Sequence, residues 1–347
     1  MPERGRPVRC WRRLRISVRG LLVIVLVLGG WLGWVVRAAK IQHEAVGALT
    51  RAGCTVFYHW NEQDRAPSQD GDTWAWAPRW VVDRISPDYF CHVTAVDLTS
   101  SQAEDADTMM SYLGQLSQVR ELNLSRIPLT DRGLAHIQGL THLTTLELYH
   151  TSVTDAGLVS LQGLTNLQSL DLSYTKITDE GVAHLAGLLR LSDLNLSRTA
   201  ITDVALRHLR GSNRLECLWL LETSVSDGGL AHIAHLQSLQ ALYLGGTKVT
   251  DSGLIHLENL PALERVELDS TNVTDAGLVH LVKLPVLKNL DLGSTAVTDA
   301  GLVQLRRMKQ LQLINLRSSG ATYKGVTELR RALPRATIFF HWEERQE

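Results

Sequence analysis

Cysteine is scarce, four residues in 347. No two of them form a C-x-x-C pair or stand with histidine at a zinc-binding spacing, which excludes a structural zinc module. A surplus charge is missing as well: 35 lysines and arginines offset 36 aspartates and glutamates to a net −1. Beyond the N-terminus no basic face is left that would hold a nucleic-acid backbone. There is no glycine-rich phosphate loop either, because Gly245-Gly246 ends a strand-like run without the rest of that motif. At 44% hydrophobic and 20% charged residues, what remains is the composition of a folded chain rather than a disordered one.

The charge that is present lies unevenly. Seven arginines from Arg4 to Arg19 against Glu3 put +6 on residues 1–19 and leave −7 on the remainder. This basic leader runs into residues 20–36, 17 positions without a charge and rich in Leu, Val, Ile, Trp and Gly. At about 1.5 Å per helical residue, such a run reaches the short limit for a hydrocarbon core of about 30 Å. Only Arg37 and Lys40 follow closely, so the positive-charge asymmetry predicts a single-pass membrane protein. Its N-terminus would be cytoplasmic and everything after the anchor extracytoplasmic, that is, periplasmic. A cleaved signal competes, since Val36-Arg37-Ala38 loosely resembles a cleavage site and Arg12-Arg13 a twin-arginine signal. The length of the apolar run favours the uncleaved anchor. In that orientation Cys10 is on the reducing side and Cys217 within the repeats described next, which leaves Cys54 and Cys91 as the possible disulfide. Two buried thiols are the alternative.

From about residue 96 one phrase, Val153-Thr154-Asp155-Ala156-Gly157-Leu158, returns at a fixed interval. Its Asp falls at Asp131, Asp155, Asp179, Asp203, Asp227, Asp251, Asp275 and Asp299, every 24 residues. Within a unit, Leu146-x-Leu148 has the period of a strand, whereas Leu158, Leu161 and Leu164 at spacing three suit a helix or 3-10 turn. The Thr-Asp pair stands where that helix starts, where hydroxyl or carboxylate can accept from free backbone N–H groups. Following the strand leucines from Val96/Leu98, with a two-residue slip, to Ile338/Phe340 gives about eleven parallel strands. The expected fold is therefore α/β, a leucine-rich-repeat solenoid with a horseshoe of short parallel strands and convex helices or 3-10 turns, preceded by one transmembrane helix. Residues 96–340 make the solenoid and its C-terminal cap, where Tyr323-Lys324-Gly325 replaces the phrase, and residues 341–347 a tail. Three departures stand out: Ile127 where other units have Thr, Ala205 for Gly, and Ser212 for Leu. The last two predict a bulge in the unit around residues 203–214.

Residues 37–95 carry no such period. Ile41, Ala45, Ala48 and Leu49 share one side of a helix that Gly53 stops, and Thr55 to Trp60 reads as a strand. A polar loop then precedes Trp74, Trp76 and Trp80, and a short helix at 81–85 is ended by Pro87. A repeat array needs such an N-terminal cap, because its first unit would otherwise leave one side of its core in water. The tryptophans suit the core of the cap better than a binding platform.

The 24-residue Thr-Asp-x-Gly-Leu-x-x-Leu unit resembles the bacterial leucine-rich-repeat proteins. The whole layout is similar to the membrane-anchored members common in planctomycetes: Arg-Arg leader, single anchor, His43-Glu44-Ala45-Val46 helix, Trp-rich cap and repeats. The resemblance implies protein recognition and carries no activity. The units also resemble those attached to F-box domains, but no F-box-like helical domain precedes them here.

Alternation along the strands turns the residue between the two leucines, and the one after the second, to the concave side. In the middle of that side stand Tyr149, Trp219, Leu221 and Tyr243, with Tyr174 and Arg198 one place beyond, flanked by Glu, Asp and Asn. Trp, Tyr and Arg are the usual anchors of a protein interface, so these six are the candidate partner-binding residues. Merely tolerated surface positions would explain the acids, but not a Trp beside a Leu. A second phased series, His136, His184, His208, His232, His256 and His280, has no phased carboxylate or cysteine beside it, so no metal is expected. Serine, histidine and aspartate recur in phase, and one active site would instead break the pattern. The sequence thus reads as a membrane-tethered module that binds a protein partner, a glycan being the lesser candidate, with no catalysis, cofactor or nucleic acid. The alternative is a structural or self-associating envelope protein.

Overall fold

The computed structural model describes residues 18–58, 92–99 and 106–341, without the side chains of residues 18–22 and 24. Cys91, the tryptophan-rich segment and the helix expected at 81–85 lie outside the described residues.

Each unit folds as its two periods demand. The L-x-L runs give three-residue strands, and one sheet of twelve strands forms in chain order. These are β1 (Thr55–Tyr58), β2 (Val93–Asp97), β3 (Glu121–Asn123), β4 (Thr145–Glu147), β5 (Ser169–Asp171), β6 (Asp193–Asn195), β7 (Cys217–Trp219), β8 (Ala241–Tyr243), β9 (Arg265–Glu267), β10 (Asn289–Asp291), β11 (Leu313–Asn315) and β12 (Thr337–Phe339). From β2 onwards all pairs are parallel, and leucine lies beside leucine: Leu194, Leu218 and Leu242 are direct neighbours. The slip near residue 96 is real, because Val96 pairs with Leu122. One face of the sheet buries these leucines against the leucines of short helices on the other side, in a single core running the length of the array. Strands stack at about 4.8 Å, whereas helices need about 8–10 Å, so the array curves with its sheet inside. That makes the free sheet face concave.

The Thr-Asp pair does more than start a helix. In most units Thr is the N-cap in extended conformation, and its hydroxyl accepts from an N–H of the helix at about 3.3 Å, as Thr178 does from Glu180. Its short bond goes elsewhere. Thr178 donates from both N–H and hydroxyl to Asp155 of the preceding unit, at 2.8 and 2.6 Å. The same double bond joins Asp227 to Thr250 and Asp251 to Thr274. The sequence assigns the carboxylate to its own helix start; it belongs instead to a ladder between units, because it faces the next N-cap at hydrogen-bond range. The ladder begins one unit early, at Asp107, which holds Thr130. The glycine of the phrase follows from this contact: a Cβ at Gly253 would collide with the Asp227 carboxylate.

No bulge appears around residues 203–214. β6 and β7 stay in register, and Ala205 is fully buried with its N–H donating to Asp179 at 3.1 Å, so the carboxylate accommodates one methyl group. Ser212 is buried where other units bury leucine. Ile127 is explained likewise. Its counterparts, such as Thr151, are buried and donate to a carbonyl three residues back, whereas Ile127 fills the same space with carbon.

At the N-terminal end β1 pairs antiparallel with β2 and covers the sheet edge. The α-helix α1 (Val18–Arg51) packs by its C-terminal half on β1 and on α2 (Ala106–Leu113), burying Ala45, Val46 and Leu49. Its other half behaves differently. Val23, Val25, Leu26, Val27, Leu28, Trp31, Leu32 and Trp34 are all exposed, around the whole circumference, where a helix docked on protein buries one stripe. Among the described residues no helix is long and apolar enough to cross a membrane. The apolar run begins, however, at residues 20–22 and 24, whose side chains are outside the described set.

Candidate protein-binding face

The concave face places the six sequence-predicted residues in two groups. In the first, the Arg126 guanidinium lies 5.2 Å from the centre of the Tyr149 ring, and Tyr149 meets Tyr174 edge to face with centroids 5.2 Å apart. Arg198 then covers Tyr174 at 4.7 Å and pairs with Glu222. Arg126, His150, Tyr174, Arg198 and Glu222 occupy one repeat position whose φ is +53° to +63°. That left-handed residue turns the chain off each strand and sets the five side chains in a row. Sequence reasoning found Tyr174 and Arg198 but missed Arg126, His150 and Glu222, although the 24-residue spacing alone marks them.

The second group is Trp219 and Tyr243, neighbours across β7 and β8, whose rings stack with centroids 3.4 Å apart and planes 2° from parallel. Tyr243 is consequently 6% exposed. The sequence predicts an exposed anchor there; the tyrosine is instead the floor on which Trp219 rests. Trp219 and Leu221 are half-buried, so in this second group the accessible apolar surface is the indole and its leucine neighbour, while Tyr174 of the first group is exposed.

Electrostatics sharpen around this stack. Burial raises the Cys217 thiol to about 12, with Asp193 adding to the shift, which favours the protonated thiol over the thiolate. Burial also pushes Asp193 up, against the Trp219 indole N–H, which favours the ion. Glu267 is raised by burial and then by Asp291 and Asp269. Asp269 is raised by burial and then by Asp291. No ion pair neutralises Glu267 or Asp269 among the described residues.

This raised pKa has a testable sign. At low pH Glu267 is protonated in both folded and unfolded chain and changes nothing; as pH rises past the unfolded value the unfolded chain ionises first and stability falls, and once pH passes the raised folded value the loss is complete and persists at neutrality. Glu267→Gln therefore raises the melting temperature near about pH 7 and leaves it unchanged near about pH 3. Melting curves at the two pH values check this, and no gain at neutrality would remove the repulsion.

The histidine series runs along the convex side. His184 meets Gln162 at 2.9 Å and His280 meets Glu258 at 2.5 Å. Among the described residues no three His, Cys, Asp or Glu come together in a way that could hold a metal ion. A cavity of about 410 Å³ opens between β1 and β4, lined by Tyr58, Asp97, Arg120, Asn123 and Glu147. Tyr58, Arg120 and Glu147 are engaged in further interactions. Cys54 is buried, its N–H donating to the Leu49 carbonyl at 3.0 Å, and burial followed by Asp97 raises its thiol.

A sheet of parallel strands in chain order, one leucine-lined coil per strand, defines a class, and the comparisons agree. Residues 117–177 and 235–257 match family models described as leucine rich repeat. The chain carries leucine-rich repeats, and they build its solenoid. No curated protein matches. Among solved structures the chain is similar to the internalin inlF of Listeria monocytogenes, at 23% identity over 68% of this chain and 64% of that one, with a TM-score of 0.57. It is also similar to internalin C2 of the same organism, at 24% identity over 61% and 84% with a TM-score of 0.47. A plant peptide hormone receptor, RGFR1 in complex with RGF2, matches at 17% identity over 67% and 41% with a TM-score of 0.41. This chain spans just under two thirds of the inlF chain, and the likeness shows the fold.

Proposed function

We propose that this chain is a membrane-tethered recognition module of the bacterial, planctomycete-type layout, binding a protein partner through its concave face without catalysis. Leucine-rich repeats are interaction modules whose curvature creates an extended concave surface. The observation that carries the reading is the Trp219 indole, held flat on Tyr243 and still partly exposed beside Leu221 on the sheet face. An aromatic side chain fixed before binding loses little conformational entropy when a partner covers it. The tether is supported by the exposed apolar circumference of α1 and the arginines before it. N-terminus inside, repeats periplasmic, and a Cys54–Cys91 disulfide belong to the same proposal.

A photo-crosslinking residue at Leu221 of the full chain, expressed in the native host, is expected to capture a protein, and one at Val279 on the convex side is not. The reverse pattern sinks the concave-face reading. Alkaline extraction of the same cells is expected to leave the chain in the membrane pellet, and recovery in the supernatant with an N-terminus near residue 39 would overturn the anchor.

A second reading, a self-associating envelope protein, is favoured by one feature. Ile255, Val279 and Val303, in three consecutive units, form an aliphatic row on the convex side, each 48–51% exposed. Sedimentation of the full chain in detergent separates the two: oligomers without a partner support this reading.

A further inference from the structure

Resting on the concave-face reading, we infer that the partner presents a cationic segment, with an arginine or lysine side chain seated over Trp219 and its neighbours facing the carboxylates around the stack. Two observations converge on this. Three aromatics of the face and its rim are covered by the chain's own guanidinium groups: Arg126 over Tyr149, Arg198 over Tyr174 and Arg317 over Phe339. Among the described residues Trp219, the ring best suited to a cation, has none. Independently, the outward strand positions around it carry Asp193, Glu267, Asp269 and Asp291 against Arg265 alone. The face is an unpartnered sheet surface with an aromatic centre and an acidic surround, complementary to positive charge.

The alternatives are disfavoured by the same charges. A nucleic acid or an anionic lipid surface would be repelled, and an uncharged apolar segment would satisfy the indole but leave the carboxylates desolvated beneath it. A guanidinium answers both requirements, since it stacks on an aromatic face and donates to carboxylates in the same plane. A bound cation also offsets the burial, and after it the repulsion among neighbouring carboxylates, that raise Glu267 and Asp269.

The test uses the full chain in detergent as bait for a random-peptide phage library, and affinities of enriched peptides are then measured against variants. Enrichment is expected for peptides with net positive charge. Trp219→Ala is expected to weaken them by about tenfold or more, and raised salt weakens them further. Trp219→Phe, which keeps a ring on Tyr243, is expected to retain most of the affinity. The double variant Glu267→Gln, Asp269→Asn is expected to lose affinity while melting at or above the parent's temperature, so its loss cannot be misfolding. Neutral or acidic peptides that still depend on Trp219 would overturn the cationic partner and leave the concave face standing. Peptides indifferent to both Trp219→Ala and the double variant would overturn both readings. Failure to enrich any peptide overturns the inference, with crosslinking at Leu221 still deciding the wider one.

Discussion

Leu242→Ala lowers the unfolding free energy by about 3–5 kcal/mol, among the largest single-residue losses the solenoid offers. Leu242 is fully buried in β8 and lies between Leu218 and Val266 in register. Two contributions add: the lost transfer of three carbons and the cavity that remains. The cavity is kept open by geometry, because both neighbouring strands are fixed at ladder spacing by hydrogen bonds such as Leu220 N–H to the Tyr243 carbonyl, and cannot close inward. The loss also has a location. In a solenoid each unit contacts only its neighbours, so weakening two adjacent interfaces uncouples the stretches on either side. Urea unfolding is expected to broaden or split, and amide protection to fall first in β7–β9. Val303→Ala, on the half-exposed convex row, is the control and is expected to cost about 0.5 kcal/mol or less. A Leu242→Ala loss below about 1 kcal/mol would mean that the stack relaxes in a way its ladder forbids.

How far the chain could be read without coordinates depends on which contacts repeat. The leucines at fixed phase announce a core that must be shared between units, and the eleven parallel strands followed from counting them. The antiparallel strand β1 was expected as a strand, but its pairing was not legible, because nothing in Thr55–Tyr58 states a direction. Contacts between units were legible only in part. The aspartate phase was plain, yet its partner was not, since Asp155 is adjacent in sequence to a helix start and 23 residues from the threonine it binds. Asp107 was missed although it stands 24 residues before Asp131, because the surrounding phrase is absent there. On the concave face the strand pattern identified Trp219 and Tyr243 as outward, but outward is not exposed: whether a ring faces solvent or another ring depends on the neighbouring strand. A left-handed turn position has no residue signature when Arg, His, Tyr, Glu and Ser all occupy it, and the row from Arg126 to Glu222 was found only in fragments for that reason.

The ladder makes the second large prediction. Asp227→Ala is expected to cost about 2–4 kcal/mol, because both oxygens are in use: Oδ1 accepts the Thr250 N–H at 2.8 Å and Oδ2 accepts its hydroxyl at 2.6 Å. Alanine leaves a part-buried backbone donor without a partner at the junction of two units, where water reaches it poorly. Asp227→Asn keeps an acceptor for the N–H and loses the charged hydroxyl contact, so about half the cost is expected. Gly253 then separates this account from a simple loss of helix stability. With Asp227 in place, a methyl group at Gly253 meets the carboxylate and one of the two must shift, whereas in the unit where alanine occurs naturally the Asp179 carboxylate still accepts the Ala205 N–H at 3.1 Å. With Asp227→Ala the carboxylate is gone, and Gly253→Ala should recover up to about 1 kcal/mol through helix propensity. The four proteins form a double-mutant cycle read by denaturant midpoints. A positive coupling places the aspartate and the next unit's glycine in one contact; strictly additive losses would show that the carboxylate acts on its own helix after all.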